Sequence, residues 1–494
     1  MPEIQSSHSL VHARSPFRCG SPVALAVLLL AGCSAVGSDD SQHQQQKATL
    51  PPPSTAHKPA VATATPPSLP ILILPEHPTL ERLFRSASAH SPLMMEQALN
   101  IAKNDAFRFR GWHQHLPFIY AGYQFGEFRL LKGSNRGHED RISGTYSVQA
   151  RYPLFAWGAI SAEKKALFLR EKNAMQHATN TWRILLEEIR SDFYHAVTLK
   201  GAIALLEKQI AHEKLRVSRS SAHTTEGYIA ETNALSLEIS IREKEYSLNA
   251  QHNELDVALS RLRSTTGLHE LTQKDIPDFV SCPDIDPDIL EKRIATFNAL
   301  NNRTTGEAIL AQNQRALIDE EITQVEARML PNLNLGASVS QSPYQTNTNR
   351  FEMQTVLFAG ISGTWNIFDR DATNTTVRAL KTEQRLIDAR LRASRQTRFD
   401  ALRTQVRQIR DSRAMLALRN ERLKAAELYL DGLRHSHALG ITEELAVKDA
   451  ELSAEIHRQS IRNNQTTITR ALRRFLSGIE QDPAAALYSA PSND

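Results

Sequence analysis

Between residues 143 and 152 the chain alternates. Gly144, Tyr146, Val148, Ala150 and Tyr152 take every second place, with Ser143, Thr145, Ser147, Gln149 and Arg151 between them. Period two predicts a strand with one apolar and one polar face. Leu333, Leu335, Ala337 and Val339 alternate in the same way with Asn332, Asn334, Gly336, Ser338 and Ser340. Residues 117–128 and 355–367 carry weaker forms of the pattern. Such strands suit a soluble sandwich, or a barrel with lipid outside and water inside.

Elsewhere the period changes. No proline occurs from 154 to 276 or from 344 to 482. Trp182, Leu185, Ile189, Phe193, Ala196, Leu199, Ile203, Leu206 and Ile210 recur at spacings of three and four. Ile241, Leu248, Leu255 and Leu262 stand seven apart, as do Leu402, Ile409, Leu416, Leu423 and Leu430. Strict heptads predict helices that coil around neighbours along a narrow seam. A helix from about 158 to 217 would be roughly 90 Å long at 1.5 Å per residue. No globular core covers such a rod, so it pairs with the helix returning after a break at Gly227.

The two patterns occur twice. Phe155 and Phe368, each after an alternating segment, lie 213 residues apart, and so do Gly227 and Gly440, each in a break between helices. Thr266-Gly267-Leu268 and Ser477-Gly478-Ile479 each close a helix, with a glycine suited to a left-handed cap. Leu116-Pro117 and Leu330-Pro331 each precede an alternating segment. Several landmarks in one order indicate a duplication.

The N-terminus reads as an export signal. His12, Arg14 and Arg18 precede the apolar run Val23–Leu30, which ends in Leu30-Ala31-Gly32-Cys33. Cys33 after small residues resembles a bacterial lipobox, whose cysteine receives lipid, and Ser34 in place of aspartate points to the outer membrane. Gln44-Gln45-Gln46, Pro51-Pro52-Pro53 and the Ala/Thr/Pro stretch through Pro70 cannot bury a core and predict a stiff tether. The expected segments are a signal peptide over 1–32, a tether over 33–90, a first repeat over 91–274, a linker over 275–287, a second repeat over 288–480 and a tail over 481–494.

Composition adds exclusions. Of 494 residues 41% are hydrophobic and 23% charged, with 58 basic against 54 acidic side chains, so nothing suggests nucleic acid as a partner. Three cysteines, Cys19, Cys33 and Cys282, make no disulfide framework. No later apolar run is long enough for a spanning helix, so a membrane crossing would have to be a closed barrel. Four strands cannot close one around a pore, but three copies would supply twelve.

This order of strand, strand, long helix, glycine break and long helix, given twice, resembles the TolC or outer-membrane-factor family. The resemblance runs from about 91 to 479. Local phrases share in it: Leu116-Pro117 and Leu330-Pro331 at helix-to-strand junctions, Tyr152-Pro153-Leu154-Phe155 and Trp365-Asn366-Ile367-Phe368 at strand-to-helix junctions, and Glu226-Gly227-Tyr228 and Leu439-Gly440-Ile441 at the tips. Asp288-Ile289-Leu290-Glu291-Lys292-Arg293 resembles the start of the second repeat. The resemblance implies an α+β membrane protein: a tandem repeat of two β-strands plus two long coiled-coil helices. It would form a trimeric 12-stranded β-barrel in the outer membrane, continued by an α-helical barrel in the periplasm. The implied role is a passive exit duct of a tripartite efflux or type I secretion system, working with a periplasmic adaptor and an inner-membrane pump, without a cofactor. The family also has a long helix before its first strand. The second repeat has room for one over about 288–330, but the first has only 91–116, so a shorter first helix is expected.

The resemblance places Gly227, Tyr228, Leu439, Gly440 and Ile441 at adaptor-docking tips, and Asn233, Ala446 and Asp449 along the tunnel entrance. An acidic ring there would select ions by sign. Here the ring is only partly present, since Asn233 and Ala446 are uncharged. Glu443 and Glu444 add charge nearby, which a helix start also explains. His435 and His437 are a weak metal pair, because a spacing of two puts them on different faces of a helix, and His113 and His115 share that weakness. Cys282 in the linker reads as an unpaired bystander. Neither P-loop, H-E-x-x-H, G-x-S-x-G nor G-x-G-x-x-G occurs, so no enzyme is expected. The alternatives are a periplasmic coiled-coil adaptor and a structural lipoprotein without a pore. The 213-residue duplication counts against the first, and the strands count against the second.

Overall fold

The computed structural model describes residues 76–128, 141–222, 228–300, 305–345 and 351–487. All lie within the compact unit Pro66–Asp494. In chain order the elements are α1 (Pro78–His90), α2 (Pro92–His113), β1 (Phe118–Phe128), β2 (Arg141–Phe155), α3 (Ala159–Ala222) and α4 (Tyr228–Thr266). A single 3₁₀ turn, Gln273–Asp275, leads to α5 (Pro287–Leu300), α6 (Gly306–Ala327), β3 (Asn332–Gln345), β4 (Phe351–Thr364), α7 (Ala372–Ala438), α8 (Glu444–Gly478) and α9 (Pro483–Leu487). The two halves carry the same series, and all helices join the strands at one end of the sheet.

The sheet is antiparallel in the order β1-β2-β3-β4. Its register gathers the alternating residues as their spacing predicts. Ala121, Val148, Val339 and Leu357 share one level, and Ile119, Ala150, Ala337 and Ala359 the next. Pro153 sits at a bulge in β2, where a missing N–H donor does not break the ladder.

The long helices run as antiparallel pairs, α3 with α4 and α7 with α8. At 64 residues α3 is about 96 Å long. The heptad positions form the seams: Ile241, Leu255 and Leu262 are buried in the first hairpin, and Leu402, Ile409 and Leu430 in the second. Burial comes in separate clusters along the rods rather than one core. Among the described residues no helix is long and apolar enough to cross a membrane.

Two expectations need correction. The segment over 33–90 is not tether throughout, because Pro78–His90 is a helix. Leu80, Leu83, Phe84 and Ala87 form a single stripe, fully buried in the first hairpin's core. Pro78 begins that helix, where its missing N–H costs nothing. The first repeat therefore does not lack its leading helix. α1 and α2, of 13 and 22 residues, match α5 and α6, of 14 and 22.

The second left-handed cap also falls elsewhere. Gly267 has φ +71° as expected, but Gly478 is helical and Glu480 takes the positive φ of 56°. Gly478 is small for packing: Leu402 Cδ2 lies 2.9 Å from where a Cβ would stand. Glu480 bears the left-handed backbone because its carboxylate is held on three sides. It accepts from the Gly306 N–H at 3.2 Å and pairs with Arg183 at 2.9 Å and Arg398 at 3.2 Å. That network joins α3, α6, α7 and the end of α8.

Candidate functional site

Two surfaces are unusual. The first is the apolar face of the sheet. Among the described side chains it carries no charge. Ile119, Tyr123, Phe125, Tyr146, Val148, Leu335, Leu357 and Ile361 are all exposed on it. An uncovered apolar patch of that extent marks an interaction surface. β1 and β4 each also leave one edge unpaired among the described residues.

At the strand-to-helix junctions this face meets a group of aromatics. Trp157 Nε1 donates to Pro331 O and Trp365 Nε1 to Met329 O, each at 2.9 Å. Phe155 packs edge-on against Trp157, and Lys164 lies 3.3 Å from the centre of the Trp112 ring. Rings that are apolar on one side and polar on the other suit a boundary between hydrocarbon and water.

The second surface is the far end of the helical hairpins. The α7–α8 tip is a Schellman turn: the Ile441 N–H donates to Ser436 O at 2.9 Å and the Gly440 N–H to His437 O at 2.9 Å. Gly440 has φ +72°, and a Cβ there would meet nothing within 4 Å. Glycine is needed at this position for backbone conformation alone. Leu439 and Ile441 beside it are 62% and 76% exposed, so the turn presents two apolar side chains to solvent. Gly440→Ala is accordingly expected to destabilise the turn by about 1–2 kcal/mol and to speed amide exchange over 436–444 by roughly tenfold. Unchanged exchange at those amides would show that the left-handed turn does not hold the tip.

Two of the acidic side chains near this tip have partners, while Glu443 is exposed. Glu444 is held down to about 2 by hydrogen bonds from Lys448 and Arg219, the second reaching across from α3. Asp449 Oδ1 lies 2.9 Å from Nε2 of the buried His212, an ion-pair distance without the alignment of a hydrogen bond. Ala446 is half-buried and flanks this pair from the same helix. The His437 ring nitrogen Nδ1 lies 2.7 Å from Thr442 O, closing the turn. Among the described residues no group of three or more His, Cys, Asp or Glu is placed to hold a metal.

The other expected residues fall as follows. Tyr228 and Asn233 lie in the first two turns of α4. Gly227 and Cys33 lie outside the described residues. His113 ends α2, and His115 follows it, both exposed. Cys282 is half-buried against the second repeat's core, with its thiol pushed up by burial. Spacing did not reveal the links from α3 to α8, Arg219–Glu444 and His212–Asp449, whose partners lie more than two hundred residues apart.

Residues 299–477 match the model of the family described as outer membrane efflux protein. The match covers most of the second repeat. Solved structures similar to the chain include the Campylobacter jejuni CmeC outer membrane channel, with a TM-score of 0.62 at 10% identity, covering 82% of this chain and 86% of that one. The open-state MtrE outer membrane channel of Neisseria gonorrhoeae gives 0.60 at 15% identity, with 84% and 90% covered. A membrane protein from Pseudomonas aeruginosa gives 0.61 at 15% identity, with 82% and 90% covered. At such identities the likeness establishes the fold, which is that of these channels over nearly their whole length. No curated protein matches the chain.

Proposed function

We propose that this chain is the outer-membrane exit duct of a tripartite efflux or type I secretion system. It passively conducts cargo handed on by an inner-membrane pump and a periplasmic adaptor. The observation that carries the reading is the sheet. Its apolar face is exposed and, among the described residues, both outer strands have a free edge. Four antiparallel strands leave β1 and β4 running in opposite directions, so β4 of one copy can pair antiparallel with β1 of the next. Three copies close twelve strands, remove every edge and turn the apolar face to lipid. The match of the second repeat to outer membrane efflux proteins supports the same reading.

In this arrangement the hairpins extend away from the membrane as a helical barrel. Leu439, Gly440 and Ile441, with Gly227 and Tyr228, are the proposed docking tips for the adaptor. Asn233, Ala446 and Asp449 line the proposed entrance. Cys33 is the proposed attachment point for lipid, tethering the body to the outer membrane.

The test is conductance of the detergent-extracted protein in a planar bilayer, with native mass measured on the same sample. Discrete openings from a trimer are expected, with each chain beginning at Cys33 and carrying acyl chains. A monomer without conductance would sink the reading in favour of a pore-less adaptor or structural lipoprotein. A trimer whose chains lack lipid would remove only the anchor.

A further inference from the structure

The polar face of the sheet carries a charge pattern that bears on cargo. By register Phe118, Arg151, Gly336 and Gly360 share one level of this face. The residues above and below Arg151 on β2 are Gln149 and Pro153, and the neighbouring levels hold Tyr120, Ser338 and Phe358 on one side and Asn334 and Ser362 on the other. Among the side chains described on either face, Arg151 is the only charged one. It is exposed and makes no ion pair with any described residue.

The surroundings leave this charge uncovered. Gly336 and Gly360 put no side chain opposite it on β3 and β4. The Phe358 ring lies over both glycines, 3.8 Å from where a Cβ of Gly336 would stand and 3.2 Å from where one of Gly360 would. The wall at this level is therefore aromatic and bare backbone, with one guanidinium as its polar group.

We propose that three copies of Arg151 form a positive ring in the pore that favours anionic cargo over cationic cargo. The inference rests on the duct reading, because only a closed barrel turns this face to a lumen. Twelve strands spaced about 4.8 Å and tilted about 40° give a barrel of backbone radius on the order of 12 Å. An arginine side chain reaches roughly half that distance inward. Its charge then lies closer to the pore axis than the Debye length of about 10 Å at 0.1 M salt. Rings of one sign at that range select ions by sign. At the α7–α8 tip Glu444 is paired with Lys448 and Arg219 and Asp449 lies against His212, while Glu443 is exposed.

The experiment is the reversal potential of single channels under a KCl gradient at about 0.1 M or below, for the full-length protein, Arg151→Gln and Arg151→Glu. Chloride is expected to permeate at least about twofold better than potassium in the native pore. The ratio should fall toward one in Arg151→Gln and invert in Arg151→Glu, with conductance retained in all three. Open channels whose selectivity is the same in all three proteins would overturn the inference and leave the duct reading standing. Trimeric protein that conducts in none of the three forms would overturn the duct reading and this inference with it. Raising the salt to about 1 M, where the Debye length is about 3 Å, should erase the difference between the variants.

Discussion

Val148→Arg is expected to prevent stable assembly in the membrane, whereas Ser147→Arg, one residue away, is expected to be tolerated. Val148 lies midway along β2 on the apolar face, level with Ala121, Val339 and Leu357. In the proposed barrel its side chain meets lipid. An arginine near the bilayer midplane of a β-barrel costs about 2–4 kcal/mol. Three copies per trimer bring that to roughly 6–12 kcal/mol, comparable to the whole stability of a typical domain. Ser147 points to the opposite face, level with Gly122, Ser340 and Val356. In the same barrel it faces water, where a further arginine costs little. The measurement is the fraction of each variant recovered as heat-resistant trimer from outer membranes. Equal recovery of the two variants would contradict the assignment of faces, because only the period of two distinguishes them.

That assignment was legible in β2 and β3 for a physical reason. A lipid-facing position tolerates only apolar side chains, and a water-facing one does not need them, so the alternation reaches the sequence directly. β4 was harder to read. Val356, Leu357 and Phe358 run on without a polar break, because Val356 and Phe358 occupy the polar face, where Phe358 covers Gly336 and Gly360. The heptads were legible because each long helix has few neighbours and must bury a narrow seam. α1 was hidden by the proline-rich composition before it, although Leu80, Leu83, Phe84 and Ala87 already have helical spacing. The cap at Glu480 could not be read at all. Its left-handed backbone depends on Gly306, Arg183 and Arg398, which the fold brings from distant parts of the chain. The candidate site divides in the same way. Gly440 announced its turn locally, while the partners of Glu444 and Asp449 across the hairpins are long-range facts.

The strongest long-range feature is an ionic joint, and removing its centre is the remaining large effect. Arg190, in the middle of α3, is 1% exposed. It donates to both carboxylate oxygens of Asp482, just before α9, and to Glu76, just before α1. Arg473 of α8 holds Glu76 from the other side at 3.0 Å, and the Phe84 ring lies 5.1 Å from the guanidinium. The first and last turns of the described body are thus pinned to one long helix. Burial alone would push the Arg190 pKa down, but the hydrogen bond to Asp482 and the charge of Glu76 raise it above its ordinary value, so the group stays charged. Arg190→Met removes the partner of Asp482 and leaves a buried carboxylate unpaired. The expected loss is about 3–5 kcal/mol, because breaking one side of a buried pair costs far more than the pair itself contributes. Asp482→Asn in the same chain takes away the stranded charge and should recover more than about 1 kcal/mol of that loss. Thermal and denaturant unfolding followed by helical circular dichroism, for the native chain and both variants, measures the difference. A midpoint unmoved by Arg190→Met, or no recovery in the double variant, would show that α1 and α9 are held by the apolar contacts of Leu80, Leu83, Phe84 and Ala484 rather than by this charge.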